Sequence, residues 1–101
     1  MKKIPLLCAL LLLPPAAHAD RCDDQIKMDG LLTKAKKSCP FSYYAFRFQQ
    51  DSQVCMDKKG KEASKNLFLM GDSTFDSLSA KMGKAALCQK LLADFPMTVK
   101  P

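Results

Sequence analysis

FSYYAFRFQQDSQVCMDK, residues 41–58, admits two readings, and the choice between them sets the fold class. At a period of 3.6 residues, Phe41, Tyr44, Ala45, Phe48, Ser52 and Cys55 fall on one stripe, which predicts a helix from about Phe41 to Lys58. At a period of two, Tyr44 to Gln49 alternates and is rich in strand-favouring aromatics. The helical pattern persists to Cys55 while the alternation fails after Gln49, so the helix is preferred. That choice gives an all-α fold, a small three- to four-helix bundle stapled by two disulfides. The alternative is an α+β fold with a hairpin at 43–57 between two helices, turning near Asp51 and Ser52.

Upstream of this stretch, Met28, Leu31, Leu32, Ala35 and Cys39 recur at three- and four-residue spacing, with acids early and lysines late, an order that complements a helix dipole. Residues 20–39 therefore read as a helix, with Gly30 as its weak point. Cys39 precedes Pro40, and the residue before a proline is pushed out of the α region, so the helix stops there. Downstream, Glu62 to Met70 reads as a short helix with Ala63, Leu67 and Met70 inward and Gly71 as its stop. Ser73 with Asp76 has the form of a capping box, and Asp72 is an alternative cap. The run from Thr74 to Asp94 then carries Phe75, Leu78, Met82, Ala85, Cys88, Leu91 and Leu92 on a drifting stripe, with a bend expected at Gly83. Pro96 ends it, and the last residues are expected to be loose.

The N-terminus fixes the compartment. Lys2 and Lys3, the apolar run Leu6 to Leu13 and the Ala17-His18-Ala19 site have the form of a cleaved bacterial signal peptide over 1–19. As a membrane anchor the run is too short, since a crossing needs about 20 apolar residues, and Pro14-Pro15 ends it. Cys8 lies inside the apolar run and not where a lipid-bearing cysteine would become the new N-terminus. Cleavage would leave 20–101 as a single small disulfide-bonded helical domain of 82 residues, periplasmic or secreted, with no transmembrane segment. Four cysteines remain, Cys22, Cys39, Cys55 and Cys88, and in an oxidising compartment they read as two disulfides. An intact first helix holds Cys22 and Cys39 about 25 Å apart at a 1.5 Å rise, whereas a disulfide needs Cα atoms within about 7 Å. This removes Cys22 with Cys39 and, with it, Cys55 with Cys88. An antiparallel return at Pro40 brings Cys55 level with Cys22, and a last helix beside the first brings Cys88 to Cys39. Cys22 with Cys55 and Cys39 with Cys88 is the expected pairing.

The loss of His18, the only histidine, removes histidine-based nucleophilic and acid/base catalysis and histidine metal ligation. No Cys-x-x-Cys, phosphate loop or calcium loop occurs. Asp23, Asp72 and Asp76 read as helix-start residues, and Met28, Met56, Met70, Met82 and Met97 as core filler more than soft-metal ligands. No enzyme activity, cofactor or metal is expected.

The mature charge is +4, because two of sixteen cations leave with the signal peptide while all ten acids stay. Its densest basic run is Lys58, Lys59, Lys61 and Lys65, which reads first as a solubilising face. On a helix through residues 41–58, Phe41, Tyr44 and Phe48 point inward, while Tyr43, Phe46 and Arg47 point outward and are of the types enriched at contacts. The competing expectation is that the helices bury all five aromatics. With Lys58, Lys59 and Lys61, the outward three form the candidate partner-binding set. The function expected is a non-catalytic exported protein-binding module, an inhibitor, immunity-type protein or accessory subunit, with another envelope or secreted protein as partner. The alternative is a periplasmic stress chaperone or a cationic protein binding the envelope or an anionic membrane surface. Nucleic acid is not an expected partner.

Overall fold

The computed structural model describes residues 21–101; the signal peptide assigned to 1–19 lies outside the described residues. The element order is α1 (Arg21–Ser38), β1 (Tyr43–Tyr44), α2 (Phe46–Lys59), α3 (Lys61–Met82), α4 (Lys84–Asp94) and β2 (Val99–Lys100). Disulfides join Cys22 to Cys55 and Cys39 to Cys88, with Cα separations of 5.1 and 5.7 Å. The protein is therefore a small helical bundle stapled by two disulfides, in the pairing expected from the length of the first helix and the antiparallel return after it. In α1, Asp23 and Asp24 occupy the first turn and Lys36 and Lys37 the last, matching the dipole.

The helix expected from Phe41 begins instead at Phe46, and no hairpin forms at 43–57. Tyr43 and Tyr44 are extended because they pair with the far end of the chain, antiparallel, Tyr43 opposite Lys100 and Tyr44 opposite Val99. The Ser42 amide donates to the Lys100 carbonyl at 3.0 Å and the Ala45 amide to the Thr98 carbonyl at 2.7 Å. The C-terminal residues expected to be loose are thus held, and Val99 is buried in the core.

A second correction concerns Gly71. The sequence suggested a helix stop there and a new start at Ser73, yet α3 runs unbroken through both. Gly71 is buried where a Cβ would lie 1.8 Å from the Lys27 carbonyl oxygen, and at Gly30 a Cβ would lie 2.1 Å from the Phe68 carbonyl oxygen. The two glycines let α1 and α3 cross backbone against backbone, so Gly30 is a contact point, not a weakness. Asp72 and Asp76 are consequently mid-helix, and they hold Lys34 of α1 at 3.2 and 3.4 Å. The Lys34 pKa is raised, foremost by its hydrogen bond to Asp72 and then by the two negative charges. The helix breaks where a bend was expected, at Gly83, whose φ of 90° a side chain rarely adopts.

Ile26, Leu32, Phe75, Leu87 and Val99 are the largest fully buried apolar side chains, and the Cys39 to Cys88 bridge lies among Leu31, Ala35, Phe41 and Leu91. Met70, Met82 and Met97 are exposed, so the core-filler reading fails for them. Among the described residues no helix is long and apolar enough to cross a membrane.

One polar cluster fastens the ribbon to the bundle. Asp29, buried on α1, accepts hydrogen bonds from the Tyr44 hydroxyl and from Thr33 Oγ1, the latter at 3.2 Å. Burial foremost, and then Asp29, pushes the Tyr44 pKa above its ordinary value of 10.0. A raised native pKa favours the protonated fold, so this contribution is complete below pH 10 and is lost as pH climbs beyond it. In Tyr43→Phe, Tyr44 is the remaining tyrosine, and its phenolate absorbance should appear together with loss of helical circular dichroism. Phenolate forming ahead of unfolding would mean that the Tyr44 to Asp29 contact does not constrain the fold.

Candidate functional site

The candidate residues named from the sequence separate into two groups, one at each end of α2. Tyr43, Phe46 and Arg47 are all exposed at its start, and Phe46 retains 68 % of its surface. The expectation that helices bury all five aromatics is therefore overturned. Phe41 is buried and Tyr44 and Phe48 are half-buried, their rings 6.0 Å apart. Met97, 81 % exposed, stands one residue from the Ala45 to Thr98 hydrogen bond and so shares the end of the molecule that carries Phe46. Lys100 lies 5.8 Å from the Tyr43 ring centre, adding a second cation there.

Lys58, Lys59 and Lys61 lie at the opposite end of α2, about 20 Å from Phe46 at 1.5 Å per residue. Lys58 and Lys61 are exposed, but Lys59 is occupied, its Nζ 2.6 Å from Asp23 Oδ1. Lys59 therefore fastens the start of α1 to the end of α2, next to the Cys22 to Cys55 bridge, and is unavailable to a partner.

At the lysine end of α2 lies a groove that sequence reading missed. It has a volume of about 520 Å³ and is lined from α2 by Gln53, Met56 and Asp57, from the corner by Gly60, and from α3 by Lys61, Ser64, Lys65, Phe68 and Leu69. Local chemistry builds the corner. Gly60, at φ 96°, allows α3 to start one residue after α2 ends, and Ser64 Oγ donates to the Met56 carbonyl at 3.0 Å. On α2 the stripe Phe48, Ser52 and Cys55 faces α1, fixed by the disulfide and by Gln25 Nε2 donating to Ser52 Oγ at 3.0 Å. At about 100° per residue, Gln53, Met56 and Asp57 occupy the neighbouring face. Helix α1 thus fills one side of the α2/α3 corner and the groove opens on the other.

Met56 and Phe68 are half-buried in the groove, and Leu69 at its edge keeps 49 % of its surface. Among the described residues, Lys61 and Lys65 have no carboxylate within ion-pair distance. The arrangement can hold an apolar side chain beside a negative charge. A smaller hollow of about 330 Å³ lies at the α1/α3 crossing, beside Met28, Leu31 and Gly71.

No family model, curated protein or solved structure matches this chain.

Proposed function

We propose that this protein is an exported, non-catalytic protein-binding module of the bacterial envelope, acting as an inhibitor, an immunity-type protein or an accessory subunit. The observation that carries this reading is the open groove with Met56 and Phe68 on its floor and Leu69 at its edge, an apolar trough between α2, tied to α1 by a disulfide and an ion pair, and α3, packed against the same α1 at the glycine crossing. Preorganised concave apolar surface lowers the ordering cost of association. The two disulfides fit an oxidising, extracytoplasmic compartment, in agreement with the form of residues 1–19. A protein lying along α2 would reach both the groove and the Phe46 end, since Phe46 and Met56 are about 15 Å apart along the helix and one face of a standard interface is larger than that.

The test is affinity capture from an envelope extract with the oxidised protein. One partner retained by the oxidised form and lost on reduction is expected. Phe46→Ala with Arg47→Ala should change stability by about 0.5 kcal/mol or less, because both side chains are exposed. The same pair should weaken capture, by about 2 kcal/mol or more if Phe46 is a contact centre. A large fall in thermal midpoint would place Phe46 in the fold; unchanged stability and unchanged capture would remove that end from the interface.

The exposed Phe46 and Met97 beside Arg47 and Lys100 favour a second reading, a stress chaperone or a cationic protein of membrane surfaces. Acid titration separates the two. A chaperone of this kind should expose apolar surface to a hydrophobic dye near about pH 3, and a membrane binder should hold anionic vesicles in a salt-dependent way. The protein-binding reading expects neither.

A further inference from the structure

We infer that the groove between α2 and α3 seats one acidic amphipathic helix of a protein partner. The inference rests on the protein-binding reading and adds the chemistry of the occupant. Its floor, Met56 and Phe68, and its Leu69 edge are apolar, and its α3 lip carries Lys61 and Lys65 one helical turn apart. Against these two cations the lining offers one acid, Asp57 on the α2 wall. With no carboxylate of this chain in ion-pair range among the described residues, both lysines are available to a partner. Residues four apart on one helix match carboxylates three or four apart on another lying beside it.

The shape also selects a helix. From Lys61 to Leu69 the trough runs about 12 Å, roughly two helical turns, which suits anchors at i, i+3 or i+4, and i+7. Helix α1 already occupies the other side of the same corner, packed on both α2 and α3, so the groove is the place for a second helix in an equivalent position. An extended strand would find no sheet edge here, because the β1/β2 ribbon is at the other end of α2. A bilayer surface fits less well. Met56 and Phe68 are partly covered where the walls rise around them, and a flat anionic surface would meet Asp57 together with the lysines.

The experiment is selection from a displayed library of helical peptides with leucine fixed at i, i+3 and i+7 and all flanking positions random, panned against the purified oxidised protein. Enriched peptides should carry Asp or Glu three or four residues apart beside the leucine stripe. Their affinity should fall by about tenfold or more in Lys61→Glu with Lys65→Glu, because like charges then face each other. Exchanging the peptide acids for lysine should restore binding to that variant. Leu69→Asp should abolish binding. Lys61→Gln with Lys65→Gln serves if the charge-reversed protein folds poorly, and should give a smaller loss in the same direction. Enrichment of neutral or basic peptides, no enrichment, binding indifferent to both lysine pairs, or tighter binding to phosphatidylglycerol vesicles than to any acidic peptide would each overturn the inference. Its failure is separable from failure of the function proposed above: an envelope partner captured equally by wild type and by the charge-reversed variant leaves that function standing and empties the groove.

Discussion

Gly71→Ala should unfold this protein more readily by about 3 kcal/mol or more, although on helix propensity alone the same substitution should stabilise it. In the interior of a helix, alanine is favoured over glycine by roughly 0.5–1 kcal/mol. At Gly71 that gain meets a Cβ placed 1.8 Å from the Lys27 carbonyl oxygen and 2.8 Å from the Leu31 amide nitrogen. Both obstacles are backbone of α1, so no side-chain rotation relieves the contact and the helices must separate. Overpacking commonly costs about 1–3 kcal/mol, and a backbone obstacle at a crossing belongs at or beyond the upper end. For a domain of this size each kcal/mol lowers the thermal midpoint by roughly 4–8 °C, so a fall of about 12 °C or more is expected. Gly30→Ala should act in the same direction, meeting the Phe68 carbonyl oxygen at 2.1 Å. The two effects should be less than additive, because separation forced by one relieves the other. Thermal denaturation of the oxidised proteins decides it: a midpoint that rises in either variant would refute the backbone-contact crossing of α1 and α3.

Gly71 also marks where sequence reasoning runs out. A glycine after Leu67 and Met70 has the same local signature whether it ends a helix or admits a neighbouring backbone, and the difference lies in Lys27, more than forty positions earlier. The same holds for Tyr43 and Tyr44. Their strand-favouring chemistry was visible, but the partner that makes them a strand is Val99–Lys100, across most of the chain. Where a signal is complete within one element the reading succeeds. The apolar spacing of α1 is local, and it eliminated the pairing of Cys22 with Cys39; the antiparallel return at Pro40 and a last helix beside the first then chose between the two pairings that remained. Gly83 needed no distant partner to be recognised, since the drift of the apolar stripe around it marked the bend, and the φ of 90° found there is one that glycine adopts readily.

The candidate site divides along the same line. The outward positions of Phe46 and Arg47 followed from helical period, because both lie in the part of residues 41–58 that is helical. The groove did not, since it needs the angle between α2 and α3. Reading Gly71 as a stop also placed Met70 inward, whereas it is exposed, and left Phe68 and Leu69 without a role. The spacing of Lys61, Lys65, Phe68 and Leu69 is that of one helical face and was the available signal. Lys59 was indistinguishable from Lys58 and Lys61 in sequence, and only its ion pair with Asp23 sets it apart.

Removing the Cys39 to Cys88 bridge, by alanine at both positions, should cost about 4 kcal/mol. On chain-entropy grounds the cost follows from a closed loop of 49 residues. That is a large share of the roughly 5–15 kcal/mol that holds a small domain folded. The loss should be distributed unevenly. Helix α4 is separated from α3 by Gly83 and joins the core through Leu87, Cys88 and Leu91, so the bridge is its covalent tie to the turn after α1. Beyond α4 lies β2, whose pairing with β1 positions Tyr44 over Asp29. Amide exchange should therefore rise first across 84–100 and at Tyr43 to Ala45, while α1 and α3, locked at their glycine crossing, stay protected. Trypsin should cut earliest after Lys84 or Lys90, both exposed on α4. Alanine at Cys22 and Cys55 opens a loop of 33 residues and leaves Gln25 on Ser52 and Asp23 on Lys59 to hold the same helices, so exchange should rise in α2 and leave α4 unchanged. Removing both bridges should cost less than the sum, since the two loops share residues 39–55. If both variants loosened the same region, the bridges would not be holding separate parts of the bundle, and the assignment of α4 to the Cys39 to Cys88 tie would have to be abandoned.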